Sequence, residues 1–202
     1  MMELPSRFYA MVDTAAGHDP VDLARNLLEA GARMLQLRLK EASSRKFLEV
    51  ARAITPLVRA HQALFIVNDR VDIAMLAEAD GVHLGQTDLP LAAARELLGP
   101  RRIIGISTHS IEQARAAAAG GADYIGFGAI YSGGLKDVRN PQGLARLREV
   151  RQAVALPIVA IGGITEATAP AVLAAGADAV AIITDVVRAT DLAQKVRALT
   201  QL

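Results

Sequence analysis

Gln36, Arg38 and Lys40 stand two residues apart at the end of an otherwise apolar run. Alternate residues of an extended strand share a face, so an amide and two cations point the same way and suit an anionic group. The competing reading is a strand leaving the core, with Lys40 and Glu41 simply exposed to solvent. Arg38 fits that reading less well, because a guanidinium in a largely apolar strand is costly to bury without a partner. Two further runs end in carboxylates: Asn68-Asp69-Arg70, and His83-Leu84-Gly85-Gln86-Thr87-Asp88. Carboxylates on neighbouring strand ends can share a Mg²⁺, which takes one or two of them and completes its shell with water and substrate phosphate oxygens. Each Asp also precedes a helical stretch and could instead cap it, Asp69 ahead of Val71 and Asp88 ahead of Pro90. Their matching positions, opposite a cationic strand, favour the metal.

Ser107 ends another run and is placed to donate to a phosphate. Ser107, Thr108 or Ser110 could equally cap the helix that follows. His109 is read as standing behind the site, and His83 as packing near a strand end. In the segment from Gly128 to Asp137, the pair Gly133-Gly134 permits close backbone approach and Lys136 could close over a phosphate; a solvated loop lysine is the plain alternative. Gly162-Gly163 and Ile183-Thr184 end two late runs. Glycines and backbone N–H groups at helix starts form the phosphate site of many barrels, although a tight turn also needs glycine.

Strands are predicted over residues 7–12, 34–38, 64–67, 81–83, 103–107, 124–127, 158–161 and 179–182, in nearly continuous apolar runs as expected for strands buried on both faces. Amphipathic helices are predicted over 19–29, 43–61, 71–79, 90–98, 111–119, 144–153, 166–175 and 186–199. Eight strands alternating with eight helices in 202 residues predict one α/β domain over 1–202, a single (β/α)8 TIM barrel, with an open doubly wound sheet as the rival. Gly31-Ala32, Ala79-Asp80, Gly121-Ala122-Asp123 and Gly176-Ala177-Asp178 each precede a strand and read as structural turns at the opposite end from the site.

Composition narrows the function. Net charge is +1, aromatics are 3%, and there is no Trp, which argues against a nucleic-acid partner. The most apolar stretch, 154–164, is broken by Pro157 and a Gly pair, so no membrane span is expected. The absence of cysteine excludes disulfides, thiolate nucleophiles and Cys-based zinc sites, and fits a cytoplasmic protein. No signal peptide is read at the N-terminus. Partners are expected to be small phosphorylated substrates; a homo-oligomer is compatible with the sequence. There is no Gly-x-Ser-x-Gly, His-Glu-x-x-His or P-loop motif.

Gln36-x-Arg38-x-Lys40, Asn68-Asp69-Arg70-Val71-Asp72-Ile73-Ala74, Gly81-Val82-His83-Leu84-Gly85-Gln86-x-Asp88, the 107–110 segment, Gly162-Gly163-Ile164 and the 180–184 segment resemble the thiamine phosphate synthase/TenI family from the first strand to the last helix. The resemblance implies that hydroxymethylpyrimidine diphosphate is joined to hydroxyethylthiazole phosphate, giving thiamine phosphate and diphosphate. It implies that Asp69 and Asp88 bind Mg²⁺ on the diphosphate, that Gln36, Arg38, Lys40, Asn68, Ser107 and Lys136 surround the diphosphate and pyrimidine, and that Gly163 with the Ile183-Thr184 backbone holds the thiazole phosphate. Arg38, Lys40, Ser107 and Lys136 would be the catalytic set. The chain departs from the family where synthases carry Thr-x-Thr-Lys: Gly133 and Leu135 replace the threonines and only Lys136 remains, while Ala129 stands at a family Pro. TenI thiazole tautomerases carry their histidine at the position of Ala129. A tautomerase, or a paralogue that binds thiamine precursors without turnover, are the alternatives.

Overall fold

The computed structural model describes residues 2–13, 17–133 and 140–202. Eight parallel strands close into a barrel in sequence order: β1 (Phe8–Asp13), β2 (Met34–Arg38), β3 (Leu64–Asn68), β4 (Gly81–Leu84), β5 (Ile103–Thr108), β6 (Tyr124–Gly128), β7 (Ile158–Ile161) and β8 (Ala179–Ile182), with β8 pairing β1. The open doubly wound sheet is thereby excluded. The helices between them are α1 (Pro20–Glu29), α2 (Ser44–Ala60), α3 (Val71–Leu76), α4 (Leu91–Leu98), α5 (Ile111–Ala119), α6 (Gly143–Ala153), α7 (Ala169–Ala174), α8 (Thr184–Val187) and α9 (Leu192–Leu199).

The apolar strands split into two packing systems by alternation. Phe8, Ala10, Val12, Leu35, Leu37, Val67, Val82, Ile104 and Phe127 pack outward against the helices, and Tyr9, Met11, Met34, Ile66, Tyr124, Val159, Ala179 and Ala181 fill the interior. A strand with both faces buried has to be apolar throughout, which is why its polar interruptions carry information.

The predicted helix over 186–199 is two helices. Asp191 caps α9, its carboxylate accepting from the Gln194 N–H at 2.8 Å, and the preceding turn leaves α8 as one short helix starting at Thr184. The helix predicted over 166–175 begins later, at Ala169. There the Thr168 hydroxyl accepts from the Thr165 N–H at 2.9 Å, and Pro170 occupies the first turn, where no N–H is needed.

The turns before β4, β6 and β8 share one device. The Asp80 carboxylate accepts from the Phe65 N–H of β3 at 2.7 Å, Asp123 from Ile104 of β5 at 2.8 Å, and Asp178 from Ile158 of β7 at 2.7 Å. Arg95 braces Asp123 and Arg151 braces Asp178. Each clasp satisfies a backbone donor at the bottom of a strand, which makes these Ala-Asp turns structural. The corresponding turn before β2 has Arg33 in place of the aspartate.

Candidate active site

Strand ends from around the barrel open on one cavity of about 1460 Å³ at the C-terminal face. Its walls include Gln36, Arg38, Lys40, Asn68, Asp69, Asp88, Ser107, Gly163, Ile183 and Thr184, which are the site residues named from the sequence apart from Lys136. Lys136, like Leu135, lies outside the described residues.

Arg38 leaves β2 beside Asp13, the last residue of β1 and its register partner, and the two form an ion pair. Asp13 is buried, so it holds the guanidinium against the strand end in place of solvent. Lys40, one turn of the pleat further on, pairs with Asp69. Neither aspartate caps a helix. The N-cap of α3 is Arg70 and that of α4 is Pro90, both without a side-chain capping bond. Asp69 adopts the left-handed backbone conformation, φ 63°, which Asp tolerates better than most residues. Asp88 folds back so that its carboxylate accepts from the Gly85 N–H at 2.7 Å.

Burial raises the Asp69 carboxyl above the ordinary carboxylate value; the Lys40 ammonium opposes the rise and neighbouring Asp88 adds to it. Two adjacent carboxylates with one lysine between them leave negative charge that a divalent cation would neutralise. Hard oxygen donors, two in number and facing an open cavity, fit Mg²⁺ shared with a phosphorylated ligand better than a closed protein cage. Among the described residues no group of three or more His, Cys, Asp or Glu is arranged to hold a metal by itself.

Ser107 is not the cap of α5; Ser110 is, accepting from the Gln113 N–H at 3.2 Å. The Ser107 hydroxyl lies 2.8 Å from His83 Nε2, and the Ser107 carbonyl accepts from the Gln86 side chain at 2.6 Å. His109 lines the cavity rather than standing behind it, its Nδ1 2.7 Å from the Gly128 carbonyl at the end of β6. Burial pulls the His83 imidazole down to about 4, with Asp88 opposing, so the ring is neutral at pH 7.

On the opposite wall Gly163 has φ +63°, and a Cβ there would sit 2.7 Å from the Ser132 carbonyl oxygen. Glycine is required both for its backbone conformation and for the approach of the segment after β6. Ala129 packs against Gly162 at the same point. Beyond them Lys195 bridges Glu166 at 2.8 Å and Asp185 at 3.4 Å, closing the rim between β7 and β8.

Sequence reasoning missed Asp13, the Glu166–Lys195–Asp185 group, and the inward-facing Tyr9 and Tyr124. The tyrosines carried a signal, since both occupy interior positions of their strands where a hydroxyl must find a partner.

Fold and cavity together define a (β/α)8 barrel with a charged, partly metal-suited mouth at the C-terminal ends of its strands. The thiamine monophosphate synthase family profile matches residues 8–186, and the chain belongs to that family. It is 47% identical over 196 residues to a thiamine-phosphate synthase of Moorella thermoacetica, covering 96% of this chain and 93% of the relative. It is 49% identical over 191 residues to one of Chlorobium phaeovibrioides, covering 94% and 91%. The solved structure of a thiamine phosphate pyrophosphorylase from Pyrococcus furiosus superposes with a TM-score of 0.88 at 37% identity, covering 96% of this chain and 94% of that one. A 3-hexulose-6-phosphate synthase at 21% identity and a TM-score of 0.70 shares the fold alone. Among the described residues no helix is long and apolar enough to cross a membrane.

Proposed function

We propose that this chain is a thiamine-phosphate synthase, a transferase that joins hydroxymethylpyrimidine diphosphate to hydroxyethylthiazole phosphate and releases diphosphate. The observation that carries the reading is the Asp69–Asp88 pair beside Lys40, at the mouth of a cavity that also presents Gln36, Arg38, Asn68 and Ser107. Arg38 and Lys40 bind the diphosphate, and Lys136 joins them from the segment after β6. Gln36, Asn68 and Ser107 hold the pyrimidine end. Gly163, Ile183 and Thr184 take the thiazole phosphate on the opposite wall.

Asp69 and Asp88 would hold Mg²⁺, which supplies neutralisation of the charge that grows on the leaving diphosphate. The side chains of Arg38 and Lys40 act in the same sense, fixed in place before the reaction by Asp13 and Asp69. The bond to diphosphate breaks first, leaving a methylene cation stabilised by the pyrimidine. The thiazole nitrogen then attacks at close range. Such a reaction asks for two ligands held face to face and water kept out, not for a general base. That matches a rim rich in cations and hydrogen-bond donors.

The tautomerase alternative loses ground on one observation. Its histidine position is Ala129, which lines the cavity and carries no group that could move a proton. The proposed partners are small phosphorylated molecules, with neither nucleic acid nor membrane required. The protein would act in the cytoplasm as one barrel over residues 1–202, alone or as a homo-oligomer.

The test is diphosphate release from purified protein given both substrates and Mg²⁺. Release that requires all three, with thiamine phosphate formed in step, supports the reading. Protein that binds either phosphate ligand yet releases no diphosphate overturns it.

A further inference from the structure

Along the cavity floor a hydrogen-bonded chain crosses the barrel interior. Gln36 Nε2 donates to the Tyr9 hydroxyl at 3.0 Å. The Tyr9 and Tyr124 hydroxyls are 3.0 Å apart, Tyr124 is 2.9 Å from His83 Nδ1, and His83 Nε2 is 2.8 Å from Ser107 Oγ. Gln36 and Ser107 open on the cavity, Tyr9 and His83 line its floor with little exposure, and Tyr124 is fully buried between them. Room has been kept for it. A Cβ on Gly105 would fall 2.1 Å from the Tyr124 ring, and one on Gly126 would fall 3.0 Å from the His83 ring.

Counting protons gives the chain a direction. Each phenol has one hydrogen to donate. With Gln36 donating to Tyr9, the Tyr9 hydrogen goes to Tyr124 and the Tyr124 hydrogen to His83 Nδ1. His83 must then carry its proton on Nε2 and donate to Ser107, whose own hydrogen is left for the cavity. An imidazolium would break the count, because Tyr124 would have to accept from His83 and the Tyr9 hydrogen would have no acceptor in the chain. The reverse direction needs the Gln36 amide turned over, with its carbonyl on Tyr9 and its NH₂ toward the cavity. Arg38 lies on the same face of β2 two residues on, and a cation favours the amide oxygen on its side. Ligand anions favour Ser107 as donor, so both ends select the same direction.

We propose that Tyr9, Tyr124 and His83 are positioning residues that hold Ser107 as a hydrogen-bond donor to the ligand and Gln36 as an acceptor from it. The cavity then selects a ligand that offers an acceptor at Ser107, an anionic oxygen or an unprotonated ring nitrogen, and an N–H donor at Gln36. An aminopyrimidine diphosphate carries both, so this specificity deepens the synthase reading and rests on it. The direction of the chain does not.

The experiment is a long-range ¹H–¹⁵N correlation spectrum of the imidazoles at pH 7. The chain has four histidines, and the His83 signals are those missing from His83→Gln. A neutral ring protonated on Nε2 is expected in the wild type. Tyr9→Phe leaves Nδ1 as the one acceptor in the chain for the Tyr124 hydrogen, so the Nε2–H tautomer should persist, while Gln36 loses the hydroxyl that takes its N–H and fixes its amide. It should also weaken binding of hydroxymethylpyrimidine diphosphate about tenfold, the effect of one good hydrogen bond, in protein that remains folded. A wild-type ring protonated on Nδ1, or charged, overturns the proposal. So does Tyr9→Phe protein that binds hydroxymethylpyrimidine diphosphate as tightly as the wild type, which is what simple packing would give. Absence of turnover in a protein with the expected tautomers would count against the synthase reading alone.

Discussion

His83 should make the fold sensitive to mild acid, by an amount that follows from its burial. In the folded chain the ring takes its proton near 4, whereas the ordinary imidazole value is 6.5. Between those values the unfolded chain holds more proton than the folded one, so stability present at pH 7 is lost as pH falls. The two binding curves give a loss of roughly 2 kcal/mol between pH 7 and pH 4.5, with a slope that approaches the limit of about 1.4 kcal/mol per pH unit in the middle of the window. Urea unfolding followed by circular dichroism at several pH values, in wild type and His83→Gln, measures it. Glutamine keeps an acceptor and a donor but has no proton to gain. Other groups titrate alike in both proteins, so their difference isolates the imidazole. The wild type should hold the larger advantage at pH 7 and surrender roughly 2 kcal/mol or more of it by pH 4.5. Parallel profiles across the range would show that His83 titrates alike in the folded and unfolded chains, and would refute the reasoning.

Asp69→Ala and Asp88→Ala should each lower turnover by roughly a hundredfold or more, with a stability cost of about 1–2 kcal/mol from the left-handed backbone at residue 69 and the freed Gly85 N–H at residue 88; wild-type-like turnover in both would remove the metal role. Lys136→Ala should reduce turnover more than stability, read from steady-state kinetics beside thermal melting; a variant whose main defect is melting would make the lysine structural. Gly163→Ala forces a Cβ to within 2.7 Å of a carbonyl oxygen at φ +63°, so it should cost about 1–3 kcal/mol and raise KM for the thiazole phosphate. Asp123→Ala, which frees the Ile104 N–H and Arg95 at the other end of the barrel, should cost a similar ~1–3 kcal/mol and leave kcat alone. A fall in kcat there would break the division between the two rims.

The barrel could be read from the chain because strands buried on both faces have to be apolar, and few other residues interrupt them. Arg38 stood out for that reason. Its partner did not: Asp13 becomes a neighbour only when β1 and β2 pair in register. Tyr9, His83 and Tyr124 belong to β1, β4 and β6, and no local pattern connects strands that meet only on closure. The capping alternative at Asp69 and Asp88 was sound local chemistry. It gave way because Asp69 turned into the left-handed region and Asp88 turned back on Gly85. The break before α9 followed from Asp191, an N-cap residue hidden inside a continuous helical pattern.

The carboxylate clasps make brackets of three of the four β–α–β pairs around the barrel, β1 and β2 being the pair with Arg33 in the aspartate's place. Each clasp joins the second strand of a pair to the first, β4 to β3, β6 to β5 and β8 to β7, and none joins one pair to the next. Breaks in the chain between pairs would therefore spare every clasp, while a break inside a pair would separate one carboxylate's strand from the amide it satisfies.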